Sequence, residues 1–183
     1  MIETIRIGHL LRETVTLPYP CLVTRPTGAA VRSRIEAALA ASTCHTAWLD
    51  FSDVELLDLS CADEVVAKLL LAEPATPVPF LVLVGLREEQ HEAIEHVLTH
   101  QRLAITATRY GAAPVQPCLL GWASPDARAV FDALIERGSA AAPAEIAAAL
   151  GWAEGRAREA LQALVAHRVL HTDGVRYRPL RTA

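Results

Sequence analysis

The residues of this chain whose types and spacing could do chemistry gather in the stretch "LDFSDVELLDLSCADEVVAKLL", residues 49–70. Asp50, Ser52, Asp53, Asp58, Ser60, Cys61 and Asp63 lie there, between a buried strand and an amphipathic helix. Acidic and hydroxyl groups in that position can form a catalytic site, a phosphoacceptor or a helix cap. Cys61 sits at an expected helix N-terminus, where a thiol pKa falls, and is the best nucleophile in the chain. An acyl-transfer nucleophile also needs a base within reach and an oxyanion hole. No sequence around any histidine announces such a base, so Cys61 reads as a small residue packed under a sheet. Ser60 is expected to cap the helix, with Asp63 completing a variant capping box. Asp50 and Asp53 read as turn formers, with Ser52 a secondary hydroxyl candidate beside them.

His91, His96 and His100 fall on one expected helix, the last two a turn apart, a spacing that can hold a metal. The stretch "EEQHEAIEHVLTH" lacks the HExxH order and is polar throughout, so it reads as a solvated face with no metal. "TRPTGAAVR" has one glycine and neither a Walker nor a dinucleotide pattern. The expectation is a non-enzymatic protein without cofactor.

Alternating elements position these residues. "TIRIGHLL" and "YPCLVTR" read as an opening pair of strands, and "TGAAVRSRIEAALAAST" as a helix with Val31, Ile35, Ala38 and Leu39 on one face. "TAWLDFSDV" is a strand. The helix after it carries Ala62, Val65, Val66, Leu69 and Leu70 as its apolar stripe, with Asp63, Glu64 and Lys68 expected in water. "PATPVP" interrupts the chain before "FLVLVGL", an unbroken apolar run typical of a strand buried on both faces. A further helix (Ile94, Val97, Leu98 inward) and the strand "LAITATR" follow. Strands alternating with helices give an α/β fold with the sheet at its centre.

Gly, Pro and Ser cluster over residues 110–125 without strong periodicity, which places a linker at 111–123 between a domain at 1–110 and another at 124–183. In the second part Ser124 is the expected N-cap, Pro125 the first helical residue and Gly138 the stop; a short helix ends at Gly151, and a third turns Ala157, Leu161, Leu164 and Val165 inward. An Asp-Gly turn closes the chain between two short strands.

The chain has 183 residues, 52% apolar and 21% charged, with a net charge of −4. That composition is globular. Its four cysteines show no CxxC pair, the N-terminus has no apolar signal region, and no apolar run approaches the roughly 20 residues that span a bilayer. A reduced, cytoplasmic setting is the expectation. Charge divides unevenly: residues 122–183 hold eight Arg against seven Asp plus Glu, net +1, and residues 1–121 hold nine Lys plus Arg against fourteen acids, net −5.

The order helix, short helix, turn, longer helix and hairpin, with "AEIAAALGWAEGRAREALQALVAHRVL" and "DGVRYRPL", resembles a winged helix-turn-helix over residues 122–183. The resemblance implies that the third helix enters a DNA major groove. Arg156, Arg158 and Gln162 on that helix, with Arg176 and Arg178 on the wing, would make the contacts. The basic excess is small for such a role. A winged helix that docks protein or forms a homodimer is the competing reading.

Residues 5–108 resemble the STAS fold of anti-sigma-factor antagonists, in particular its divergent STAS-like branch. "LDFSDV", "LSCADEVVAKLL" and "TGAAVRSRIEAAL" carry the resemblance. It implies a mixed sheet with helices and a docking partner such as a GHKL-type ATPase or kinase. The family's switch motif is an Asp, two Ser and a Gly. Asp58 matches the Asp, Leu59 stands where the usual phosphoacceptor would be, Ser60 matches the second Ser and Cys61 replaces the Gly. Asp58, Ser60, Cys61 and Asp63 are therefore the candidate docking or phosphorylation residues. Phosphorylation would abolish docking by adding up to about two negative charges. Together the two resemblances imply a partner-docking domain that controls a DNA-binding one.

Overall fold

The computed structural model describes residues 2–16, 19–72 and 80–182. β1 (Ile2–Arg6), β3 (Thr46–Asp50), β5 (Phe80–Leu86), β6 (Ala104–Arg109) and β7 (Pro117–Gly121) form a five-stranded sheet in that order. The first four strands run parallel and β7 pairs antiparallel with β6, so the sheet is mixed.

The opening departs from the expected pair of strands. β1 passes directly into α1 (Ile7–Thr14), because Ile7 and Leu11, one turn apart, are both buried. The start of α1 is pinned by Asp53, which accepts from the Gly8 N–H and from an Arg12 Nη2, each at 3.1 Å. Asp53 thus does more than shape its own turn. Asp50 does form one, accepting from the Ser52 N–H at 2.9 Å. β2 (Cys21–Leu22) pairs in parallel with β4 (Leu56–Leu57) in a separate two-stranded ribbon.

α2 (Arg25–Ala41) buries Val31, Ile35 and Leu39, as its spacing requires. The next helix has three parts: α3 (Leu59–Ala62), a π-helical turn (Asp63–Ala67) and α4 (Lys68–Leu71). α5 (Glu88–His100) buries Ile94, Val97 and Leu98. Its buried Gln90 donates to the Val54 carbonyl at 2.7 Å, tying the helix to the loop after β3. Strands laid down successively in one direction, with right-handed crossovers, put their connecting helices on one face of the sheet. The first core confirms that layer, joining Ile5, Ala47, Leu49, Leu83 and Ile105 to those helices.

β7 lies inside the stretch 111–123 whose composition suggested a linker. Successive strand residues face opposite sides, and here Leu120 enters the first core while Leu119 enters a second. Ile105 and Ala104 on β6 divide the same way. The second core belongs to the C-terminal helices, which therefore pack on the face of the sheet that α1 to α5 leave bare. α6 (Pro125–Arg137) reaches back through Arg128, which bonds the Leu119 carbonyl at 3.1 Å and also the Gly121 carbonyl. Trp48 Nε1 on β3 donates to the Arg181 carbonyl at 3.0 Å, fastening the C-terminal tail to the same face.

Gly121 is the tightest point of this junction. Its φ is +92°, and a Cβ there would lie 2.1 Å from the Leu103 carbonyl oxygen, which the Trp122 N–H already occupies at 2.8 Å. Gly121→Ala is expected to lower stability by about 1–3 kcal/mol, read from the urea midpoint. Gly155→Ala, on a helix with open space around the Cα, should instead be neutral or stabilising by up to about 1 kcal/mol.

Candidate functional site

Two surfaces hold the candidate residues. The first is the start of the third helix. Asp58 is its N-cap, and Asp58 Oδ1 accepts from the Cys61 N–H and from Ser60 Oγ, both at 2.8 Å. The cap expected of Ser60 belongs to Asp58 because Leu59 is already helical, which leaves Ser60 inside the first turn. Asp63 completes no capping box. Its carboxylate accepts from Arg25 Nη1 at 2.7 Å and from Gln101 Nε2 at 2.6 Å, bracing α2 and the end of α5.

Glu64 is the larger surprise. Expected in water, it is 3% exposed. The π-helical turn holds an extra residue, which shifts the phase of the apolar stripe, and four consecutive residues (Glu64, Val65, Val66, Ala67) are buried together. A buried carboxylate needs partners. Glu64 has Arg25 Nη1 at 2.7 Å, Arg32 Nη2 at 3.6 Å and Lys68 Nζ in direct contact. Hydrogen bonds from Lys68 and Arg25 hold its pKa below the usual carboxylate range, and the Arg25 bond does the same for Asp63. Gly28 lets α2 approach this close: a Cβ there would meet Glu64 Cβ at 3.0 Å and Cys61 Sγ at 3.2 Å.

The nucleophile candidates are quiet. Cys61 is fully buried, its Sγ donates to the Thr24 carbonyl at 3.1 Å, and burial together with the Asp58 charge pushes the thiol up to about 11. It is protonated at neutral pH. Helix-terminal activation, the reason for considering Cys61, is outweighed by desolvation. His96 and His100 are exposed on α5, and among the described residues no group of three or more His, Cys, Asp or Glu is close enough to hold a metal. The fold does assemble one pair invisible to local sequence: His91 Nε2 lies 3.9 Å from Cys118 Sγ and 3.4 Å from Arg109 Nη2. Burial is the first cause that raises the Cys118 thiol and lowers the His91 imidazole, so both stay neutral.

The second surface is C-terminal. Ser124 caps α6 by accepting from the Ala127 N–H at 3.1 Å, and Gly138 ends it at φ +65°. α7 (Pro143–Leu150) ends at Gly151, φ +68°. α8 (Glu154–Ala166) buries Ala157, Ala160, Leu161 and Leu164. β8 (Leu170–Thr172) and β9 (Tyr177–Pro179) form the wing, whose turn Asp173 shapes by accepting from the Val175 and Arg176 N–H groups at 2.9 and 2.7 Å. Ala141 bridges to Tyr177, adding a third short pairing to the hairpin. Residues 127–174 match the family model of the IclR helix-turn-helix domain. No curated protein and no solved structure matches the chain. The C-terminal unit is thus a winged helix-turn-helix, which points to DNA-binding transcription regulation and to a regulator rather than an enzyme. No helix among the described residues is long and apolar enough to cross a membrane.

The five residues expected at DNA divide in space. Arg156, Arg158 and Gln162 are exposed on α8. Arg156 already grips Asp126 with two bonds, Nε at 2.7 Å and Nη2 at 2.6 Å, and lies 4.0 Å over the Trp152 ring. Arg158 pairs with Glu154 on its own helix. Arg176 at the wing tip bonds Glu145 at 2.9 Å and the Ala140 carbonyl at 2.6 Å. Arg178 is the exception: it stands opposite His171 across the wing ladder, on the side that faces the sheet, and helps hold the His171 pKa down, second to burial.

The Glu64 and Asp63 pairs have a readable pH signature. Both carboxyls titrate lower folded than unfolded, so they stabilise the fold while ionised, and that contribution disappears as pH falls through their depressed folded pKa values, below the ordinary carboxylate range. Glu64→Gln is expected to cost about 1–3 kcal/mol near neutrality and to flatten the fall of Tm on acidification, measured by thermal melts from about pH 7 to 3.

Proposed function

We propose that this chain is a non-enzymatic, cytoplasmic transcriptional regulator whose winged helix engages DNA and whose α/β part, STAS-like in kind, docks a partner protein that controls it. The observation that carries the DNA half is the exposed face of α8: Arg156, Arg158 and Gln162 sit on the helix a helix-turn-helix uses for base contact, its first turn turned to solvent. Arg176 would add a phosphate contact from the wing tip. In this reading Arg156 and Arg158 exchange their intramolecular carboxylates for phosphates on binding.

Support for docking comes from the ribbon of β2 and β4. Leu56 on β4 and Tyr19 and Val23 on either side of β2 are exposed, and Leu59, two residues after β4 at the capped turn, is 51% exposed. An apolar set around Asp58 and Ser60 suits a partner such as a GHKL-type ATPase or kinase. Phosphorylation of Ser60 would set a phosphate against the Asp58 carboxylate that caps the helix, and so undo the turn that presents Leu59. A second reading, a scaffold whose winged helix docks protein or a second copy of the chain, draws on the ion pairs that Arg156, Arg158 and Arg176 already make.

Binding to mixed genomic DNA fragments at about 50 and 200 mM salt separates the two. Affinity should fall by orders of magnitude across that range if several phosphates are neutralised. It should vanish in the variant with Arg156, Arg158 and Arg176 changed to Ala. Asp126→Asn, which releases Arg156, is expected to tighten DNA binding by on the order of threefold. Absence of wild-type binding at the lower salt sinks the DNA half.

A further inference from the structure

Between the sheet and the winged helix lies a cleft of about 1200 Å³ that neither the DNA nor the docking reading uses. Its volume exceeds that of most ligand sites, which run roughly 300–1,000 Å³. One wall is α6, which contributes Asp132, Ile135 and Glu136. The wing and tail contribute His171, Arg178 and Arg181. The starts of β1, β3 and β5 close the end with Ile2, Thr46 and Phe80. The Phe80 and His171 rings meet with centroids 4.0 Å apart and planes tilted by 55°, so the sheet and the wing meet inside the cleft.

The charges are what set this cleft apart. Several ionic side chains of the winged helix are paired: Arg137 and Arg176 with Glu145, Arg156 with Asp126, and Arg158 with Glu154. Asp132, Glu136, Arg178 and Arg181 make no ion pair among the described residues, although all four line the same cleft. Two carboxylates from α6 and two guanidiniums from the wing and tail, with no ion pair between them, match a molecule with charge of both signs. Ile2, Phe80, Val115, Ile135 and Leu180 supply apolar surface between them.

We propose that the cleft binds a short zwitterionic peptide with apolar side chains. Its carboxylate meets Arg178 and Arg181, its ammonium meets Asp132 and Glu136, and its side chains rest on Phe80 and Ile135. A guanidinium pairs a carboxylate through two parallel bonds, which gives the basic wall its selectivity. The bound peptide touches both the sheet and the wing, so it joins the two units.

The test is calorimetric titration of the full chain with dileucine and trileucine, each also as the N-acetylated and the C-amidated form, in the absence of DNA. Binding should be saturable at concentrations below about 1 mM, and blocking either terminus should weaken it at least about tenfold. Arg178→Gln with Arg181→Gln should erase the difference between free and amidated peptides. Asp132→Asn with Glu136→Gln should erase the difference between free and acetylated ones. All four positions are exposed, and an unchanged Tm in both double variants confirms that only the site was altered. No heat of binding from any free peptide up to about 10 mM, or full binding by the blocked forms, overturns the proposal. Because the readout contains no DNA, its failure is distinct from failure of the DNA-binding reading.

Discussion

The antiparallel seating of β7 on β6 places Leu119 and Leu120 on opposite faces of one sheet, and each half of the chain takes one of them. A sheet whose helices all pack on one face leaves the other face bare, and bare apolar strands must be covered. Here the winged helix is the cover. Arg128 on the β7 carbonyls, Trp48 on the tail and Phe80 against His171 are the fastenings that this one strand makes possible. The module that resembles a free DNA reader is therefore also a layer of the fold.

This arrangement divides the basic residues by what they face. α8 and the wing tip look outward, each cation held by a neighbouring acid, whereas Arg178 and Arg181 look inward to the cleft without one. Outward pairs of this kind contribute little to stability, because both partners are solvated. They are cheap to exchange for phosphates, and they keep the helix from presenting bare charge when nothing is bound.

Much of the architecture was legible in the residues themselves. The helix spacing of Val31, Ile35 and Leu39, the apolar run of β5, the Ser124 cap, and the stops at Gly138 and Gly151 all stand where the pattern puts them. The misses have physical causes. β7 is short and carries Pro and Cys, so no alternation marks it. Ile2–Thr14 mixes strand and helix periods within a few residues. Glu64 defeats any fixed period, because a π-helical turn changes the number of residues per turn in the middle of the helix. Asp58 took the cap from Ser60 because a capping carboxylate two residues earlier also accepts the serine hydroxyl. The pairing of Arg156 with Asp126 and the meeting of His91 with Cys118 join residues far apart in the chain, and nothing local foretells either.

The three tryptophans occupy the places where the chain has something to report. Trp48 holds the tail at the sheet, Trp122 follows the Gly121 junction under Arg102, and Trp152 lies beneath Arg156 at the start of α8. Indole emission responds to the charge and hydration around the ring. The molecule therefore carries an unlabelled optical probe at the tail, at the seam between its layers and at its outward helix, and single-tryptophan versions would let each be followed alone.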